Sequence, residues 1–143
     1  MISRDAIKEG MVAAHPGFVP AMDDPLTRQT YDVFFTVLDL LLKAEVTVIA
    51  EAAFGHAVWA RGLERLSPFP ELRVVRCLVE GSVARSRMER RLAESRLRAA
   101  HADAEHLATG PGYLPLTLAV PTLDVDTTEG YHPELAALTN FCR

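Results

Sequence analysis

The 143-residue sequence contains only two cysteines and no long hydrophobic run. Cys77 and Cys142 are too few for a disulfide framework or a four-ligand zinc site, which favours a reducing cytoplasmic location. The longest apolar stretch, 33–42, includes Thr36 and Asp39 and is too short to cross a bilayer. The first residues form no signal-peptide core. These absences argue against secreted, membrane and zinc-finger classes, and they predict a cytoplasmic protein with no membrane partner.

Lysine is also scarce, because Lys8 and Lys43 are the only lysines among 15 basic residues. The arginine-, alanine- and leucine-rich composition is typical of a bacterial source. The 19 acidic residues give a net charge of −4, so the whole chain is not a general polyanion binder, although a local basic patch remains open. With 49% apolar and 24% charged residues, the composition predicts a single folded domain with its own core.

Helical and strand patterns alternate along the chain. Capping signals at Ser3 and at Asp24-Pro25 predict helices over 4–14 and from 25 to about 43. Further helices are predicted over 57–66, over 83–105 with a break near Ser95, and over 133–141, and strands over 46–50, 72–79 and 122–127. This alternation predicts an α/β fold with one parallel sheet, helices on both faces and functional residues at the carboxyl ends of the strands.

Charged residues follow two of the predicted strand ends. Asp5, near a helix N-terminus, is a candidate general base, and Arg4 and Lys8 are candidates for holding an anionic substrate. The alternative is that Asp5 only complements the helix dipole and that the two cations are solvated. Glu51 ends a strand and could orient a substrate or hold Mg²⁺ through water, or it is simply polar where the strand reaches the surface.

Arginine is concentrated in one helical segment. Six arginines lie within 14 residues: Arg85, Arg87, Arg90, Arg91, Arg96 and Arg98. Guanidinium groups match phosphate oxygens, so this segment predicts closure over a nucleotide or contact with nucleic acid, and the alternative is a solvated helix face. His101 and His106, five residues apart, do not share a helix face, so no protein-bound metal is predicted.

The order of the motifs resembles the bacterial P-loop kinase-like ATP-binding proteins, which are relatives of polynucleotide kinase, zeta toxin and chloramphenicol phosphotransferase. The matching segments are ISRDAIKEG, DPLTRQTYDVFFTVLDLLLKAEVTVIAEAAF, LRVVRCLV, RRLAESRLRAAHADAE and TLDVDTTEGY. The resemblance implies a three-layer fold with sheet order 2-3-1-4-5, in which Ile2-Ser3 ends the second strand. The predicted strands 46–50, 72–79 and 122–127 would then be the third, fourth and fifth.

The resemblance also implies an activity and its residues. The activity is ATP-dependent phosphoryl transfer to a hydroxyl of a small molecule or a nucleic-acid end, with ATP and Mg²⁺ as cofactors. Asp5 would be the catalytic base. Residues implied on the substrate side are Arg4, Lys8, Arg28 and Glu51. Residues implied in the lid or near the nucleotide base are Arg87, Arg91, Arg98, Thr127 and Thr128.

One family motif has no counterpart in these 143 residues. The first strand and its GxxxxGK(S/T) phosphate loop would precede Met1, and neither lysine follows a glycine or precedes Ser or Thr. We therefore expect a single domain over 1–143 that is N-terminally truncated, lacks its central first strand and has no appreciable kinase activity. The alternative is a non-catalytic binding or oligomerising module on the same scaffold, and a homo-oligomer would cover the exposed strand edges.

Overall fold

A computed structural model describes residues 1–21, 23–53, 55–64, 66, 71–109 and 116–143. The strands are β1 (Ile2–Ser3), β2 (Ala50–Glu51), β3 (Val74–Leu78) and β4 (Thr122–Asp126). The α-helices are α1 (Arg4–Ala13), α2 (Pro25–Lys43), α3 (His56–Glu64), α4 (Gly81–Glu94), α5 (Asp103–Thr109) and α6 (Leu135–Phe141), and a 3₁₀ helix spans Arg96–Ala100. The proline- and glycine-rich segments Ser67-Pro68-Phe69-Pro70 and Gly110-Pro111-Gly112 predict a turn and a loop, and both lie outside the described residues.

The described strands form two parallel pairs and not the single sheet that the sequence pattern predicts. In the first pair, β1 lies beside β2, with Ser3 opposite Glu51. In the second pair, β3 lies beside β4, from Val74 opposite Thr122 to Leu78 opposite Asp126. The prediction of parallel strands alternating with helices is confirmed. The prediction of one continuous sheet is wrong for the described residues, because β2 and β3 are not hydrogen-bonded to each other.

The strand predicted over 46–50 is shorter in the structure, because its first residues close the end of α2. Glu45 adopts a left-handed conformation with φ of 61°. The Val46 N–H then donates to the Leu41 carbonyl at 3.0 Å, as in a Schellman motif. With that N–H committed to the helix end, pairing with β1 begins only at the Ile49 carbonyl, which accepts from Ile2 N at 2.8 Å.

The helix boundaries agree with the predicted capping signals. The Ser3 side chain accepts from the Ala6 N–H, and α2 begins at Pro25 behind the Asp24 cap. The long predicted helix is interrupted at Ser95, whose extended backbone (φ −114°, ψ 116°) separates α4 from the 3₁₀ helix. No helix in the described part of the chain is long and apolar enough to span a bilayer.

One hydrophobic cluster supports both strand pairs. Its buried members come from α2, α3 and the segments that follow α3 and precede β4: Phe34, Phe35, Leu38, Trp59, Leu63, Leu66 and Leu116. Ile2 and Ala50 of the first pair and Val74 of the second pack against this cluster. Helix α4, in contrast, has no buried residue, so polar contacts must contribute to holding it in place.

Gly62 of α3 is required for close packing against α2. A Cβ at this position would overlap the ring of Phe35, which is 7% exposed and also meets Trp59 with a ring-centroid distance of 5.1 Å. We expect Gly62→Ala to destabilise the protein by about 3 kcal/mol, because the buried ring has nowhere to move. Urea unfolding measures this change.

The matched control is Gly10→Ala in α1, where an added Cβ meets nothing within 4 Å. Gly10 is exposed in a helix interior, so alanine there should stabilise by up to about 1 kcal/mol. A similar stability for both variants would contradict the packing described between α2 and α3.

Candidate functional site

The carboxyl ends of β1 and β2 meet at one polar edge. The Ser3 hydroxyl donates to Glu51 Oε2 at 2.7 Å across the pair. Because α1 begins directly after Ser3, Arg4 and Asp5 follow in its first turn. The structure therefore brings Glu51, predicted on the substrate side, to the strand end from which the predicted base Asp5 emerges.

Asp5 lies between two guanidinium groups. Arg4 Nη1 is 3.1 Å from Oδ1, and Arg98 Nη1 is 2.8 Å from Oδ2. The Asp5 side chain nevertheless keeps 36% of its exposure. Burial raises the pKa of Asp5, but the Arg98 hydrogen bond, the charge of His101 and the Arg4 hydrogen bond outweigh burial and leave the pKa below its ordinary value. The carboxylate is therefore ionised at neutral pH and partly accessible.

Arg98 is held on its other side by Asp103. Arg98 Nε and Nη2 donate to the two Asp103 oxygens, each at 2.7 Å. Asp103 is 3% exposed. Burial raises the pKa of Asp103, but the hydrogen bonds and the charge of Arg98 outweigh burial and leave the pKa below its ordinary value. The carboxylate therefore stays ionised. The sequence did not predict that Asp103 pairs with Arg98; its position five residues after Arg98 was the available signal for this pair.

His101 joins the same cluster from the residue that follows the 3₁₀ helix. Its Nε2 lies 3.2 Å from Glu9 Oε1, and its Nδ1 lies 4.0 Å from Asp5 Oδ1. Burial lowers the pKa of His101, and the neighbouring Arg98 and Lys8 lower it further against the opposing effect of Asp5 and Glu9. The ring is therefore neutral at neutral pH, and it lies beside Asp5 while its Nε2 is within hydrogen-bonding distance of Glu9.

Lys8 is buried and does not face the edge at Glu51. It is 2% exposed, and its Nζ donates to Asp24 Oδ2 at 2.8 Å. Asp24 also accepts from the Thr27 N–H at 2.6 Å as the cap of α2. In this arrangement the Lys8 ammonium joins α1 to α2, and it is not available to the substrate anion that the resemblance assigned to it.

The two remaining predicted substrate-side arginines have different surroundings. Arg4 lies over the Tyr31 ring, 5.2 Å from its centroid, and its side chain is 13% exposed. Arg28 is 67% exposed and pairs with Asp23 at 3.3 Å. No described contact joins Arg28 to the residues around Asp5.

A second polar cluster lies at the carboxyl ends of β3 and β4. Arg87 Nη2 donates to the carbonyls of Thr127 and Thr128 at 2.7 and 3.1 Å. The Thr127 hydroxyl donates to the Leu78 carbonyl at 2.9 Å, and the Glu80 N–H donates to Thr128 Oγ1 at 3.0 Å. The predicted lid arginine and the two predicted base-loop threonines are thus in contact, and together they fasten α4 to the strand ends.

Glu80 also belongs to this second cluster. The Glu80 carboxylate caps α4 by accepting from the Ser82 and Val83 N–H groups. The hydrogen bonds from Ser82 and Val83 lower the pKa of Glu80 despite slight desolvation. Arg91 is exposed one turn after Arg87, and its charge contributes to the lowered pKa of Asp103. Of the three predicted lid arginines, Arg91 is the one that is exposed, while Arg87 and Arg98 are partly buried.

Both lysines are engaged in ion pairs at α2. Lys8 is paired with Asp24, and Lys43 is paired with Asp39 at 2.6 Å on the outer face of α2. Within the described ranges, no group of three or more His, Cys, Asp or Glu side chains could hold a metal ion. The Arg4–Asp5–Arg98 arrangement can accept a proton from a hydroxyl, but it supplies no cradle of backbone N–H groups for phosphate.

No protein-family profile matches the sequence, and no curated protein matches it. Among solved structures, the chain is similar to a crystal structure of a protein from Chloroflexus aurantiacus J-10-fl that is provisionally designated a kinase. The TM-score is 0.77 and the identity 23%, over 97% of this chain and 80% of that chain. At this identity the likeness shows the fold alone: this chain has a mixed α/β fold similar to that of the Chloroflexus aurantiacus protein.

Proposed function

We propose that this chain carries the acceptor and lid parts of an ATP-dependent phosphotransferase of the P-loop kinase-like class. The acceptor would be a hydroxyl of a small molecule or of a nucleic-acid end. Asp5 would be the general base, Arg4 and Glu51 would line the acceptor side, and Arg91 would approach phosphate from α4. The fold likeness to a protein designated a kinase supports the class, and the motif order described above supports the assignment of residues.

The observation that carries the proposal is the setting of Asp5. A general base must be ionised at the working pH and within reach of the substrate hydroxyl. Asp5 has a lowered pKa, retains 36% side-chain exposure and follows a parallel strand at its carboxyl end. Ligand sites in parallel α/β folds form at that end of the strands. Its neighbours Arg4 and Arg98 hold the carboxylate without covering it.

We further propose that a strand from outside these 143 residues lies between β2 and β3, as in the sheet order 2-3-1-4-5. Parallel strands are normally buried on both faces and paired at both edges. Here β2 and β3 each have one described partner, and four apolar residues beside them are 36–69% exposed: Val46, Ile49, Leu78 and Val79. Such a strand would lead into the phosphate loop that the described residues do not provide.

The second candidate function is a non-catalytic binding or oligomerising module. The same exposed apolar residues favour it, because a second copy of the chain could cover them. A stable dimer of the 143-residue chain in light scattering, together with no nucleotide binding by any longer chain, would favour this candidate over the kinase.

Mg-ATP titration tests the proposal. We expect the 143-residue chain to bind Mg-ATP weakly if at all and to transfer no phosphate. A longer chain, in which a strand and a GxxxxGK(S/T) loop precede Met1, should do both, because preorganised loop donors contribute most of the phosphate stabilisation. Isothermal calorimetry on both chains measures this difference. The matched control is the longer chain with its loop lysine changed to alanine, and tight binding by the short chain would place the nucleotide elsewhere.

A further inference from the structure

We propose that Arg98 is a positioning residue for Asp5, locked in place by Asp103, and not a phosphate-binding residue of the lid. The catalytic role in this assignment rests on the proposed function, whereas the contacts of Arg98 with Asp5 and Asp103 are independent of it. Arg98 follows α4 in the chain, yet its guanidinium points to α1 and α5 and not to the strand ends that α4 covers.

The hydrogen-bond inventory of Arg98 carries this inference. A guanidinium has five N–H donors in one plane. Two of its nitrogens donate to the Asp103 carboxylate at 2.7 Å, and the third donates to Asp5 at 2.8 Å. The side chain is 14% exposed. All three nitrogens therefore donate to protein carboxylates, and the two remaining N–H groups belong to a guanidinium that is largely buried, so little of it is open to phosphate.

Asp103 determines the direction of the Arg98 group. A two-point contact between a carboxylate and a guanidinium fixes the plane of both groups, which a single contact does not. Asp103 is 3% exposed at the start of α5, so its own position is fixed by packing. With Nε and Nη2 held there, Nη1 can reach Asp5 Oδ2 in one orientation only.

This arrangement fixes the orientation of the Asp5 carboxylate. The charged and titratable groups around it are Arg4 on Oδ1, Arg98 on Oδ2 and His101 at 4.0 Å, with Glu9 on the far side of the His101 ring. Because Arg98 fixes Oδ2, the exposed part of the carboxylate keeps one orientation toward solvent. A hydroxyl arriving there meets an oriented, ionised acceptor.

Titration of the Asp5 side-chain carboxyl by ¹³C NMR tests this assignment on the 143-residue chain. In Arg98→Gln the Asp5 pKa should rise, because the burial that raises it remains while its strongest hydrogen bond is lost. Arg96→Gln is the matched control, since Arg96 is an exposed arginine on the same 3₁₀ helix. Its loss should leave the Asp5 pKa where it is in the parent chain.

Arg98→Gln leaves the buried Asp103 carboxylate without its partner and is the variant at risk of unfolding. The double variant Arg98→Met with Asp103→Leu removes both charges and avoids that problem. We expect the Asp5 pKa to rise in the double variant as well. An Asp5 pKa equal to that of the parent chain in a folded Arg98 variant would overturn the assignment.

Arg98→Lys separates charge from orientation. Lysine keeps the positive charge but cannot contact both carboxylates with the fixed geometry of a guanidinium. In the longer chain described above, we expect kcat to fall in Arg98→Lys while the ATP dissociation constant stays the same. An unchanged kcat in Arg98→Lys, beside a raised Asp5 pKa in Arg98→Gln, would overturn the positioning role of Arg98 in catalysis and leave its electrostatic contact with Asp5 intact. A raised ATP dissociation constant in Arg98→Lys would return Arg98 to the phosphate site.

Discussion

Lys8→Met is expected to destabilise the protein by about 3 to 5 kcal/mol, although methionine fills nearly the same space. Lys8 and Asp24 form an ion pair at 2.8 Å, and both side chains are 3% exposed. Removal of the ammonium leaves a buried carboxylate whose desolvation is no longer compensated by an opposite charge. The Thr27 N–H still donates to Asp24 in this variant, so the loss of stability reflects the missing Lys8–Asp24 ion pair and not the helix cap. Chemical denaturation at pH 7 measures it.

Lys43→Met provides the matched control for this prediction. Lys43 pairs with Asp39 at 2.6 Å, but the two side chains are 67% and 39% exposed. Exposed pairs contribute at most about 1 kcal/mol, because water solvates either partner alone. An equal loss of stability in the two variants would contradict the burial described for the Lys8–Asp24 pair.

The same pair predicts how stability depends on pH. Burial raises the pKa of Asp24, but the Lys8 hydrogen bond and those from Thr27 and Ala21 lower it from 3.8 to about 2. A carboxyl with a lowered folded-state pKa stabilises the fold fully above its unfolded pKa and loses that contribution as the pH falls toward the folded value. The stability difference between the parent chain and Lys8→Met should therefore shrink between about pH 4 and pH 2.

Features set by neighbouring residues were predictable from the sequence. The Ser3 and Asp24 caps, the start of α2 at Pro25 and the break at Ser95 depend on residues within one helical turn. The extent of β2 was not predictable in this way. Val46 has strand propensity, but its N–H donates to the Leu41 carbonyl at the end of α2. This hydrogen bond depends on the left-handed conformation of Glu45.

The contacts of the site that could not be predicted join residues that are distant in sequence. Asp5 was predicted as a candidate base from its place near a helix N-terminus, whereas its contact with Arg98, 93 residues later, required the tertiary fold. Lys8 illustrates the same limit, because the sequence made it a candidate for holding a substrate anion, while the fold pairs it with Asp24, 16 residues away. The arginine-rich segment predicted a phosphate contact for Arg87, and only the fold revealed that Arg87 binds backbone carbonyls.

Asp5→Asn should lower the rate of phosphoryl transfer far more than it weakens nucleotide binding. Asparagine keeps the shape of the side chain and cannot accept the proton of an acceptor hydroxyl, and general-base catalysis contributes about 10²- to 10⁴-fold. Arg98 retains its two contacts with Asp103, so the surrounding cluster should stay folded. Asp39→Asn is the control, because Asp39 is a carboxylate on the outer face of α2, where it pairs with Lys43.

The most direct measurement is the steady-state rate of phosphate transfer from ATP to hydroxyl acceptors, including a 5′-hydroxyl oligonucleotide and a panel of small alcohols. It compares the longer chain that carries the phosphate loop with its Asp5→Asn variant. We predict a fall in kcat of about 10²- to 10⁴-fold with an unchanged ATP dissociation constant. Equal kcat values for the two chains would contradict the account, because they would remove Asp5 from the reaction.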